Sequence, residues 1–188
     1  MNIRKLIDKR RAYRSLEKVE ITDDSIRDMA GLAGLAPSCF NKQPWRFVFV
    51  RDTEQLQKLF GAVSEGNRWT RDASMFIAVF SQPELDCIIK RREYFLLDTG
   101  MALGFLILRA TEMGLVAHPI AGFDEDLVKE ILEIPDEMRL ITLVIVGKKS
   151  EILSPLLNDK QARTEQQRPP RLDIDAIAFI DRYSGDSG

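Results

Sequence analysis

The chain has 188 residues, of which 45% are hydrophobic, and a formal net charge of −2. Those numbers describe one folded core and exclude a disordered chain. The charge balance gives no general attraction for nucleic acid or an anionic membrane. Cys39 and Cys87 are the only cysteines and lack CxxC spacing, which fits a reducing cytosol and argues against a disulfide scaffold or a structural zinc site.

In chain order, Ile3, Leu6, Ile7 and Arg10 recur at helical spacing and predict a helix over 2–11. The charged start Asn2-Ile3-Arg4-Lys5, with Asp8 close behind, is unlike a secretory signal. Thr22-Asp23-Asp24-Ser25 is an N-terminal helix signal, so a helix is expected from about residue 24 to 35 and stopped by Pro37. Trp45–Arg51 reads as a strand, Thr53–Val63 as a helix and Met75–Phe80 as a strand. Leu85–Gly114 has long helical periodicity. Gly100, Ala102 and Gly104 on its middle turns predict close packing by a neighbour. Its apolar run, Phe95–Leu108, is interrupted by Asp98 and Thr99 and reads as too short to span a bilayer. A strand over Leu115–Ile120, a helix over Asp124–Leu132 and a strand over Arg139–Gly147 follow. Residues 150–170 are polar and read as a linker or arm, and Ala178–Tyr183 reads as one last strand in need of a sheet. The irregular alternation points to α+β rather than a doubly wound sheet, and the whole to a soluble, cytoplasmic protein.

The chemistry is narrowed by what the chain lacks. His118 is the only histidine and no G-x-S-x-G motif accompanies it. HExxH, P-loop and G-x-G-x-x-G motifs are missing as well. A chain without these kits can still catalyse where a bound organic cofactor supplies the reactivity. Three segments offer parts of such a site. In Lys9–Ser15, Arg10 and Arg14 lie four apart with Arg11 beside them, which makes either a solvated basic face or a phosphate site. In Ala36–Val50, Ser38, Asn41 and Gln43 are either a self-bonded turn or donors and acceptors for a polar heterocycle. In Ala117–Asp126, a strand ends at Pro119-Ile120. Gly122 then either lets backbone amides approach a ligand or belongs to an ordinary turn capped by Asp124. His118 reads as a packed or surface histidine, and no side chain is assigned as catalytic.

Taken in register, these segments resemble the FMN-dependent nitroreductase family. Arg10-Arg11-Ala12-Tyr13-Arg14 matches its R-R-S-x-R, and Pro37-Ser38-Cys39-Phe40-Asn41-Lys42-Gln43-Pro44-Trp45 its P-S-x-x-N-x-Q-P-W. Gly114-Leu115 and Pro119-Ile120-Ala121-Gly122-Phe123-Asp124 match its G-L and P-I-x-G-F-D region. Leu132-Glu133-Ile134-Pro135 stands where the family often has L-G-I-P. The resemblance implies a central mixed sheet flanked by helices in an intertwined homodimer. Residues 1–150 would be one FMN-binding domain, and 151–188 an arm and final strand packing on the partner. It further implies phosphate held by Arg10, Arg11 and Arg171, with Arg168 competing, and Arg14 near the pyrimidine edge or ribityl chain. Pro37, Ser38, Cys39 and Asn41, with Gln43 in the same motif, would come from the partner. The amides of Ala121 and Gly122 would face flavin N5 and O4, and Asn67 and Arg71 the pyrimidine edge. The two departures are Ala12, which replaces a serine, and Ala121, which stands where an acidic residue is common.

The activity implied is that of an NAD(P)H oxidoreductase. Hydride from NADH or NADPH would pass through flavin N5 to a nitroaromatic, a quinone or a similar small acceptor, in ping-pong order. The alternatives are a specialised FMN-dependent dehydrogenase of the same family and a non-catalytic flavin-binding regulator.

Overall fold

The computed structural model describes residues 2–185. Its elements are α1 (Ile3–Lys9), β1 (Leu16–Glu17), α2 (Asp23–Ala33), β2 (Arg46–Val50), α3 (Thr53–Ala62), β3 (Met75–Ser81), β4 (Ile88–Ile89), β5 (Arg92–Glu93), α4 (Tyr94–Glu112), β6 (Leu115–Ile120), α5 (Glu125–Leu132), β7 (Arg139–Lys149) and α6 (Asp159–Gln166). Side-chain caps set five helix starts: Asn2, Thr22, Asp52, Asp124 and Asn158 each accept a backbone N–H from the first turn.

The sheet is built on β7, with β3 on one edge and β6 on the other, β2 beyond β3, and β1 on the last residues of β7. β3 is buried at every position, as a strand covered on both faces must be. Its side chains alternate. Phe76, Ala78 and Phe80 join Leu143, Ile145 and Trp69 in the core under α3 and α5. Met75, Ile77 and Val79 join Val144 and Val146 in a second core with Met29 and Ala33 of α2 and Leu106 and Ala110 of α4. The architecture is α+β. Every strand pairing among the described residues is antiparallel, so within one chain the sheet is not mixed.

Three sequence expectations are corrected. The helix expected from Leu85 begins only at Tyr94. Lys90 and Arg91, both at positive φ, make a tight turn that joins β4 to β5; Ile88 and Ile89 belong to this hairpin, and Leu85 to a short 3-10 turn before it. The polar stretch 150–170 is not a plain linker. It contains α6, started by a reciprocal capping box between Asn158 and Gln161. Ser154 donates its amide to the Ser15 hydroxyl at 3.1 Å, so this part of the arm returns to its own chain. Ala178–Tyr183 forms no strand, because no free sheet edge of the same chain pairs with it, and Ile180 is 88% exposed.

Helix α4 is long and apolar enough to cross a membrane by length and composition alone, but Phe95, Ala102, Leu106 and Ala110 are fully buried in the protein. Its small residues divide. Ala102 meets the core, whereas a methyl group added at Gly100 or Gly104 would meet nothing within 4 Å. The neighbour expected over those two glycines is absent among the described residues.

Candidate active site

Both ends of the chain meet at one cavity of about 220 Å³, lined by Arg10, Arg11, Ala12, Arg14, Thr164, Arg168, Pro169 and Arg171. Arg10 sits where α1 ends, and Arg11 and Arg14 lie on the extended segment leading to β1. The basic residues are therefore gathered by tertiary structure, not by one helical face.

α6 is what closes the cavity. Glu165, 9% exposed, accepts the amide of Arg14 at 2.6 Å and that of Ser15 at 3.1 Å, one with each carboxylate oxygen. Arg11 donates to the carbonyls of Thr164 at 2.7 Å and Glu165 at 3.2 Å, and its guanidinium lies 4.5 Å from the centre of the Tyr13 ring. Arg14 donates to the Thr164 hydroxyl at 3.3 Å. Arg168 donates to the carbonyls of Asp8 and Arg10. The guanidinium groups of Arg10 and Arg171 donate to no acceptor among the described residues, and none of the five arginines forms a salt bridge there. Burial first, then the charges of Arg168, Arg171 and Arg11, hold the Arg10 guanidinium below its ordinary pKa. Burial also lowers Arg14, against the opposing effect of Glu165. A cluster of cations that repel one another and lack acid partners is a site for an anion. The donor set fits a phosphate group. Arg168 and Arg171 both line it.

β6 carries His118 next to this cluster. Its Nδ1 is 3.0 Å from the Tyr13 carbonyl, and its ring centre is 4.8 Å from that of the fully buried Trp69. Burial, above all, lowers its pKa to about 4, against the pull of the Tyr13 carbonyl, and the charges of Arg14 and Arg10 add to the lowering. At neutral pH the ring is uncharged and Nδ1 carries the proton it shares with Tyr13. Of the packed and surface roles that the sequence leaves open, it has the packed one.

β6 opens onto Ala121 and Gly122. The Gly122 carbonyl accepts the Ser64 amide at 2.9 Å and the Asn67 Nδ2 at 2.9 Å, while the Asp124 amide donates to Ala62 at 2.7 Å. The amides of Ala121 and Gly122 have no acceptor among the described residues, so both are free to donate outward. A methyl group on Gly122 would stand 2.4 Å from the Ser64 Oγ and 2.8 Å from the Asn67 Nδ2, so any larger residue would push the Ser64 and Asn67 side chains out of this close approach. Asn67 thus turns its amide nitrogen to Gly122. Arg71 lines a different cavity with Phe60, Val63 and Arg68, apart from Arg10, Arg11, Arg14, Arg168 and Arg171.

The loop after α2 holds Phe40, Asn41 and Gln43 at φ of 48°, 57° and 51°, three non-glycine residues in the left-handed region within four positions. Such conformations persist only where the surroundings impose them, and they gather at functional sites. Ser38 accepts the Gln43 amide at 3.0 Å, and Gln43 donates to the Asn41 carbonyl at 3.2 Å, so both side chains serve the loop itself. The Cys39 amide donates to Asp98 at 2.6 Å. The Asn41 side chain is exposed and has no partner among the described residues. Pro37 lines an apolar hollow with Arg10, Met101, Gly104, Phe105, Ile107 and Leu108.

The sequence reading missed Thr164 and Glu165. Their only signal is the capping box at Asn158, which predicts a helix but not its docking.

The chain is 28% identical over 174 residues to an NADH dehydrogenase of Thermus thermophilus, covering 76% of this chain and 84% of that one. It is 27% identical over 173 residues to an iodotyrosine deiodinase of Haliscomenobacter hydrossis, covering 77% and 78%. A crystal structure of an oxidoreductase containing FMN superimposes with a TM-score of 0.84 at 28% identity, covering 96% of this chain and 92% of that one. The family model described as "Nitroreductase family" matches residues 7–83 and 65–148, well over half of the sequence, and the chain belongs to the nitroreductase family.

Proposed function

We propose that this protein is an FMN-dependent NAD(P)H oxidoreductase that reduces small acceptors such as nitroaromatics or quinones. The observation that carries the reading is the convergence of five arginines from both ends of the chain, without a carboxylate partner, on one cavity. Bound FMN supplies the electron transfer between NAD(P)H and acceptor. The protein supplies binding, orientation and charge. Arg10 and Arg171, whose guanidiniums have no partner among the described residues, hold the phosphate. Arg11 and Arg168 hold the walls by bonding backbone carbonyls, and their charge adds to the field. Arg14 places a cation beside the flavin ring, and the free amides of Ala121 and Gly122 donate to its polar edge. Asn41 is the loop side chain available to a ligand.

The working unit is a homodimer. The apolar hollow over Met101, Phe105 and Leu108, the open glycines of α4, and the exposed Leu172, Ile174, Ile177 and Ile180 all call for cover by a second chain. Residues 172–183 reach the partner, and residues 37–43 serve the partner's flavin.

Absorption spectroscopy tests the cofactor. The protein should be yellow as purified or after addition of FMN, and NADH or NADPH should bleach it without oxygen. Protein that stays colourless after desalting from FMN ends the proposal. Mixed dimers test the shared site. Where Arg14→Ala and Asn41→Ala each abolish FMN binding as homodimers, a dimer of one copy of each should recover one FMN, because one site then holds both lesions. A mixed dimer without flavin returns Asn41 to its own chain's site.

A further inference from the structure

We propose that Cys39, Asp86 and Cys87 form a binding site for a divalent cation of the zinc class. The two sulfurs and a carboxylate oxygen of Asp86 lie within 4.8 Å of one another, although 46 residues of sequence separate Cys39 from Asp86 and its neighbour. A tetrahedral zinc with bonds of about 2.3 Å to sulfur sets its ligands about 3.8 Å apart, so closure asks for shifts of no more than about 1 Å.

The two arms are held independently of any ion. The Cys39 amide donates to Asp98 Oδ2 at 2.6 Å, which fixes the loop to α4. The Cys87 carbonyl accepts the Tyr94 amide at 3.1 Å, which fixes the hairpin to the start of the same helix. Asp86 uses one oxygen, Oδ1, for the Cys87 amide at 2.8 Å. Its other oxygen, Oδ2, is buried and receives no hydrogen bond from an N–H or hydroxyl among the described residues, and the Asp98 carboxylate is the acidic neighbour of this carboxyl. A buried carboxylate oxygen left without a donor, beside two free thiols, is a ligand atom in waiting. Two sulfurs and one carboxylate prefer zinc, cobalt or cadmium to magnesium or calcium. Three protein ligands leave a fourth position for water or another small ligand. Asp98 acts here as a positioning residue, through the Cys39 backbone.

The site goes beyond the flavin reading, and its test needs neither FMN nor activity. Untagged full-length protein is stripped with a chelator, kept reduced by a phosphine, given zinc sulfate and desalted. One zinc per chain should remain. Cys87→Ala should lose it, and Asp98→Asn should weaken binding roughly 10- to 100-fold. Cobalt chloride should give a thiolate-to-cobalt charge-transfer band in the wild type and none in Cys87→Ala. Should Cys87→Ala fail to fold, alkylation of the wild type by iodoacetamide decides: zinc should slow it at both cysteines. No retained zinc, equal retention in Cys87→Ala, or alkylation unchanged by zinc overturns the site.

Discussion

Glu165 holds the amides of Arg14 and Ser15 on its two carboxylate oxygens, at 2.6 and 3.1 Å, from 151 and 150 residues away in sequence. This one side chain decides where Arg14 stands and keeps α6 against the start of β1. Replacement by glutamine leaves one oxygen able to accept and sets an NH2 group against the other N–H. Loss of one such bond to a charged acceptor costs about 1.5–3 kcal/mol. Glu165→Gln should lower the free energy of unfolding by that amount, read as a lower urea midpoint at unchanged slope. An unchanged midpoint would show that the clamp is dispensable.

Arg10 and Arg171 make the phosphate reading testable with two ligands. Arg10→Ala and Arg171→Ala should each weaken FMN roughly ten- to a hundred-fold, corresponding to about 1.5–3 kcal/mol. Riboflavin, which lacks the phosphate, should bind both variants about as it binds the wild type. Fluorescence titration measures both ligands, and equal weakening for the two would remove these residues from the phosphate site.

His118 makes stability depend on acid. Its pKa falls from the ordinary 6.5 to about 4 in the folded chain, chiefly by burial. The unfolded chain therefore binds a proton that the folded chain refuses between those values. Stability from this group is complete above pH 6.5, declines as the pH falls, and levels off below about 4, with a total loss of about 3 kcal/mol. His118→Gln should remove that part of the slope between pH 6.5 and 4 while the carboxylate contribution remains. Parallel slopes for wild type and variant in urea titrations would refute the assignment.

Glu133 ends α5 in the left-handed conformation at φ 54°. Glycine adopts that conformation without the side-chain penalty of about 1–2 kcal/mol, at some cost in unfolded-chain entropy. Glu133→Gly should therefore raise stability by about 0.5–1 kcal/mol, read as a higher midpoint at equal slope. A lower midpoint would mean that the Glu133 side chain makes a compensating contribution.

The sequence by itself determined what is local. Caps such as Thr22 and Asp124 mark helix starts because a side-chain oxygen satisfies an amide two or three residues away, and no other part of the chain is needed. Met75–Phe80 and Arg139–Gly147 are legible as strands because unbroken β-rich apolar runs belong to buried sheet. The arginines of 10–14, the loop around Asn41 and the turn at Gly122 stand out as polar or flexible residues that a plain core does not require. Tertiary structure alone decided the rest. The docking of Glu165 on Arg14 joins segments about 150 residues apart, and nothing in the spacing of either encodes that pairing. Lys90 and Arg91 could equally continue a helix, and only the hairpin they close reveals their positive φ. Ser38 and Gln43 proved to bond within their own loop, while Asn41 stayed free, a difference set by backbone geometry rather than residue type. Ala178–Tyr183 has the composition of a strand, but a strand exists only where an edge accepts its hydrogen bonds, and its own chain presents none to it.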